Sequence, residues 1–98
     1  MLFMVVEHFP EGRTSDVYRA FRENGRKQPE GLRYVDSWIA ASLDVCFQLM
    51  ECDDIVLLQE WLARWEGLMR REVVPVTTSK ETYALMARLG EEASSAQP

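Results

Sequence analysis

The side chains that could do chemistry in this chain are few. His8 is the one histidine, and an imidazole is the natural general base or metal ligand near neutral pH. Cys46 and Cys52 are the two thiols. A cysteine nucleophile needs a cation or a helix N-terminus beside it, and no such neighbour is visible around Cys46. A small buried residue within a strand is the plainer reading. His8 and Cys46 together fall short of a structural zinc site, which takes four ligands and usually close pairs such as C-x2-C. Neither a metal nor a cofactor is expected. Asp36 and Glu51 are candidate carboxylates, but strand alternation is read as placing them on opposite faces, which argues against a paired acid–base role. Asp36, among Tyr34, Trp38 and Met50, must find a hydrogen bond or a cation, and Arg33 is near enough in sequence to supply one. No P-loop, G-x-G-x-x-G, H-E-x-x-H or G-x-S-x-G pattern occurs.

Charge and composition narrow the classes further. Ninety-eight residues, 47% hydrophobic and 28% charged, fit one globular domain with no room for a second core. A domain this small buries only roughly 60–65% of its unfolded surface, so help from a partner subunit is expected. The net charge of −5 argues against nucleic acid, whose phosphates need a clustered basic face. Arg19, Arg22, Arg26, Lys27 and Arg33 are the one basic concentration. Helical spacing scatters them, and Asp16 and Glu23 interrupt them, so they read as a solvated face. The apolar run at residues 2–6 is too short for a leader or a membrane span. Cys46 and Cys52 sit six strand steps apart, ~20 Å, beyond disulfide reach. Reduced thiols and a cytoplasmic location are expected, with no membrane contact.

The elements that must position these residues follow from periodicity. Residues 2–8 form an apolar run closed by Pro10 and Gly12, which predicts a strand. Thr14, Ser15 and Asp16 offer N-cap oxygens for a helix carrying Val17, Ala20, Phe21 and Asn24 on one side. Residues 32–41 and 45–52 read as two strands joined by a tight hairpin near Leu43. Asp53 and Asp54 cap a helix whose stripe is Ile55, Leu58, Leu62 and Trp65, with Trp61 beside it. Trp61 and Trp65 at this spacing read as core. Residues 70–77 form a fourth strand, and Pro75, with no N–H to donate, assigns it to a sheet edge. The Thr78–Glu81 capping box opens a third helix toward Leu89 and Gly90. The order β-α-β-β-α-β plus a terminal helix is that of a ferredoxin-like α+β domain over residues 1–90. It implies a four-stranded antiparallel sheet with its helices on one face. Residues 91–98 read as a disordered tail.

Alternation separates the two faces of that sheet. The all-apolar set Val45, Phe47 and Leu49 is expected under the helices, with Val35 and Ile39. Cys46, Gln48 and Met50 then fall on the open face, with Tyr34, Asp36 and Trp38 and with Met4, Val6 and His8. Hairpin pairing sets Trp38 opposite Gln48 and Ala40 opposite Cys46, and the first strand brings His8 near Cys46. Such a face, on the order of 400 Å² in projection, is too large and apolar to stay bare, which predicts a homodimer through it. His8, Trp38 and Gln48, with Tyr34 and Asp36, are expected to line a pocket there for a small, partly apolar molecule. Met50→Glu or Trp38→Glu should then weaken association.

The runs Met1-Leu2-Phe3-Met4-Val5-Val6-Glu7, Pro29-Glu30-Gly31-Leu32-Arg33-Tyr34-Val35-Asp36-Ser37-Trp38 and Cys46-Phe47-Gln48-Leu49-Met50-Glu51 resemble a family of small, uncharacterised bacterial proteins. Trp61 to Trp65 and Glu72-Val73-Val74-Pro75-Val76 extend the resemblance across roughly residues 1–80. That family is itself classed as a domain of unknown function, so the resemblance implies no reaction. More distantly, the architecture resembles the dimeric α/β-barrel superfamily, whose members include cofactor-independent monooxygenases, isomerases, haem-degrading enzymes and ligand-sensing domains. That resemblance implies sheets facing each other across a dimer, with small molecules near the sheet floor. Two functions are therefore expected to compete: a homodimeric binding or interaction module, and a small cofactor-independent enzyme of monooxygenase or isomerase type. In the enzyme reading His8, Tyr34 or Asp36 would move the proton.

Overall fold

Seven elements succeed one another in the computed structural model, which describes residues 1–96. They are β1 (Leu2–His8), α1 (Thr14–Asn24), β2 (Arg33–Ile39), β3 (Val45–Glu51), α2 (Ile55–Arg64), β4 (Arg70–Val76) and α3 (Ser79–Ala96). The strands form one antiparallel sheet in the order β2-β3-β1-β4. This is the split βαβ arrangement plus a terminal helix, as the periodicity predicts. β4 pairs only with β1 and carries Pro75 opposite Phe3, so the residue that cannot donate lies in an edge strand.

Local signals behave unevenly. The Asp54 carboxylate accepts from the Val56 N–H at 3.0 Å and caps α2 as expected. α1 has no side-chain cap: Arg13 occupies the N-cap, and the Thr14 hydroxyl instead donates to the Leu43 carbonyl at 2.8 Å, tying the helix start to the β2–β3 turn. Gly25 ends α1 at φ 66°, where a Cβ would be strained. α3 runs past Gly90 to Ala96, so most of the stretch read as a disordered tail is helical. Gln97 and Pro98, the rest of that tail, lie outside the described residues.

The core lies between the sheet and α1 and α2. Phe3, Val5, Val17, Leu32, Met50, Leu58, Trp61 and Trp65 are buried there. Directly opposed antiparallel residues send their side chains to the same face. Phe3 opposes Met50, Val5 opposes Gln48 and Glu7 opposes Cys46. Cys46, Gln48 and Met50 therefore lie under the helices, and Val45, Phe47 and Leu49 lie on the open face. This reverses the face expected for β3. Met50 is 0% exposed, so it is a core residue and not a dimer contact.

The cause is a register one residue away from that expected. Trp38 opposes Phe47, not Gln48, and Ile39 opposes Cys46. His8 opposes Val45, not Cys46. Because side chains alternate with a period of two, a one-residue slip moves a whole strand to the other face. An irregularity between Tyr34 and Asp36 then shifts the alternation within β2. Tyr34 and Ser37 point inward with Met50 and Gln48, while Asp36 and Trp38 point outward with Leu49 and Phe47. Met4, Val6 and His8 are on the open face as expected. Glu51, opposite Leu2, joins Asp36 there, so these two carboxylates share a face.

Candidate functional site

The predicted site residues do not form one cluster. His8, Asp36 and Trp38 are on the open face, and Gln48 and Tyr34 are under the helices. Trp38 is two strands away from His8, a separation of ~10 Å or more. His8 Nε2 is 2.9 Å from Glu72 Oε1, and Arg70 Nη1 donates to the same oxygen at 3.0 Å. Arg70 foremost, then His8, holds the Glu72 carboxyl below its usual range. Asp36 accepts from the Ser37 N–H at 2.8 Å. Arg33, proposed above as its partner, bonds Glu51 instead at 2.9 Å. These are exposed surface pairs, with no enclosure around them. Among the described residues no group of three His, Cys, Asp or Glu is placed to hold a metal ion.

The enclosed chemistry is on the other side of the sheet. A cavity of about 120 Å³ lies between α1, α2 and the inner face. Its walls are aromatic: Phe9, Tyr18 and Phe21 on one side, Trp61 and Trp65 on the other. Phe9 and Tyr18 meet edge to face with ring centres 6.4 Å apart. Tyr18 and Phe21 are partly exposed and form its rim.

The floor is polar. Glu7, Cys46 and Gln48 project into the cavity from adjacent strands. The Gln48 amide donates to the Glu7 carboxylate, and its oxygen accepts from Arg26 Nε at 3.4 Å. Glu7 is the one buried charged residue described, 7% exposed. Burial raises its pKa, against the hydrogen bonds of Gln48 and Cys46 and the nearby charges of Arg71 and Arg26. Burial also pushes the Cys46 thiol up to about 12, helped by the negative charge of Glu7. Cys46 therefore stays a thiol at neutral pH and is no nucleophile.

Arg26 joins wall to floor. Its carbonyl accepts from both indoles, Trp61 Nε1 at 2.8 Å and Trp65 Nε1 at 2.7 Å. Its guanidinium lies 3.5 Å from the centre of the Tyr34 ring and 5.2 Å from that of Phe21, a cation–π arrangement. Lys27 follows at φ 59°, and its carbonyl accepts from Arg64 Nη1 at 2.6 Å. Among the described residues no buried side-chain nitrogen or oxygen lacks a partner.

Sequence reasoning missed Glu7 and Arg26; both tryptophans are core residues as expected, and their hydrogen bonds to the Arg26 carbonyl were not foreseen. Glu7 carried a usable signal. If Met4, Val6 and His8 face outward, Glu7 must point under the helices, where an unpartnered carboxylate is costly. Arg26 carried none, because its role depends on the loop after Gly25. No helix among the described residues is long and apolar enough to cross a membrane. A family model described as "Domain of unknown function (DUF3303)" matches residues 1–90. No curated protein matches the chain.

Proposed function

We propose a function for this chain, which belongs to the DUF3303 family: it is a homodimeric module that binds a small, single-ring molecule in the cavity between helices and sheet. The observation that carries this reading is the buried Glu7 carboxylate on the floor of an aromatic-walled space. A volume of about 120 Å³ suits one ring, since a cavity of ~150 Å³ takes benzene. Aromatic walls supply apolar contact, and Glu7 and Gln48 accept hydrogen bonds, so the ligand class is an aromatic ring bearing a hydroxyl or amine donor. The open face, where Trp38, Phe47 and Val74 are exposed, is the dimer surface.

Phenol is a suitable probe. In a Trp38→Phe chain the remaining indoles, Trp61 and Trp65, both line the cavity. Phenol should change their fluorescence saturably, and Glu7→Leu should weaken the effect at least tenfold. A Trp38→Phe chain indifferent to phenol and to aniline would overturn the reading.

One observation favours a second reading, a cofactor-independent enzyme of isomerase or monooxygenase type. A carboxyl with a raised pKa inside a cavity is suited to carry a proton. Glu7 would hold that role. His8 and Asp36 lie outside the cavity on the opposite face, and Tyr34 reaches it only through Arg26. A turnover rate whose pH profile is abolished by Glu7→Gln would select this reading.

A further inference from the structure

α3 leaves the domain. The described residues extend over 63 × 31 × 18 Å with a radius of gyration of 17.9 Å, against about 13 Å for a compact chain of this length. An 18-residue helix accounts for ~27 Å of that length. Its start is built: the Thr78 hydroxyl accepts from the Glu81 N–H at 3.1 Å and donates to Glu81 Oε1 at 3.1 Å. At 100° per residue, Leu85, Leu89 and Met86 share one arc with Tyr83 at its margin; Lys80 and Glu91 lie opposite, and Arg88 and Glu92 flank the arc on its Leu85 side. Arg88 and Glu92 bond at 3.0 Å along that flank. The apolar arc is bare, with Met86 62% and Tyr83 79% exposed. A helix of this length with Gly90 inside it and no packed face is marginal in water.

The same chain thus presents two uncovered apolar surfaces, a helix arc and a sheet face. We infer that α3 is an exchanged arm: in a pair of copies, each α3 lies across the open sheet face of the other. The inference rests on the homodimer proposed above and names what covers its face. Size supports a reciprocal exchange. One helix footprint is ~27 by ~10 Å, so a single contact counted on both sides removes on the order of 550 Å², the scale of a lattice contact. Two related by a twofold axis remove on the order of 1,100 Å² in projection, more once side-chain relief is included. That approaches the ~1,200–2,000 Å² of stable interfaces.

The test uses the full chain and the double variant Leu85→Glu/Leu89→Glu, both at exposed positions that leave the domain core untouched. Sedimentation reads association at micromolar concentration. Acrylamide quenching reads Trp38, which is 51% exposed in the single chain, while Trp61 and Trp65 are buried. The native chain is expected to be a dimer with Trp38 shielded. The double variant is expected to associate at least a hundredfold more weakly and to expose Trp38. A native dimer with shielded Trp38 that the double variant leaves intact overturns the arm and keeps the dimer, its face then being covered by the partner's sheet. A native dimer with Trp38 still quenchable overturns the docking on the sheet. A native monomer overturns the arm and the dimer together.

Discussion

Glu7 illustrates how a single buried residue can oppose stability. Its pKa is raised by burial, so the fold holds this proton more tightly than the unfolded chain does. The carboxyl therefore favours the fold below the ordinary carboxylate range, and that contribution is lost as pH rises through the raised folded value. Glu7→Gln removes the titration and keeps an acceptor for Gln48. Thermal melts should find the variant more stable than the native chain at neutral pH, with the advantage vanishing as pH falls through the ordinary carboxylate range. A neutral-pH loss of stability would mean that Gln48, Cys46, Arg71 and Arg26 outweigh desolvation. Cys46 gives a second outcome at this scale. With its thiol near 12 and Cys52 buried, neither should be carbamidomethylated by iodoacetamide in the native fold at mildly alkaline pH. Rapid labelling of Cys46, read by mass spectrometry, would mean a thiolate that the burial argument forbids.

At the level of elements, what the sequence made legible was whatever depends on local periodicity or on one residue's covalent limits. Strand and helix order came from alternation and from the Leu58–Leu62–Trp65 stripe, and the edge position of β4 came from the missing N–H of Pro75. What failed was the facing of β3, and the reason is physical. The expectation buried the uniformly apolar set, Val45, Phe47 and Leu49. The fold instead buries Cys46, Gln48 and Met50, because Gln48 and Cys46 meet Glu7 across the β1–β3 ladder. A strand that puts the Gln48 amide inward and Val45, Phe47 and Leu49 outward breaks the usual rule on both faces, and such breaks collect where function is. The register itself turns on the Ala40–Asp44 turn, with Leu43 at φ 70°, and on the irregularity after Tyr34. Neither has a sharp sequence signature. The facing can be tested by mutation. Met50→Ala should cost about 2–5 kcal/mol in denaturant melts, the range for truncating a fully buried side chain. Trp38→Glu should leave the single-chain stability within about 0.5 kcal/mol and weaken association. The opposite pattern would restore the reversed strand.

The whole molecule combines a domain whose core is closed on one side of its sheet and open on the other with a terminal helix that, among the described residues, packs against no other element. That the helices leave one face of the sheet open was legible in alternation and element order. The detachment of α3 was not, because a capping box and an apolar arc specify a helix without saying what it packs against. Motion within the domain is organised differently, around the Arg26 carbonyl that accepts both indoles. With one acceptor serving two donors, displacing that carbonyl releases both. The connection after α1 cannot lift from α2 without freeing both Nε1 protons, and the same movement withdraws the guanidinium from Gln48. The indole protons of Trp61 and Trp65 should therefore exchange with deuterium at matching rates, slowly and in step. Exchange of these two protons in the empty protein reports how often this stretch of the cavity wall comes apart.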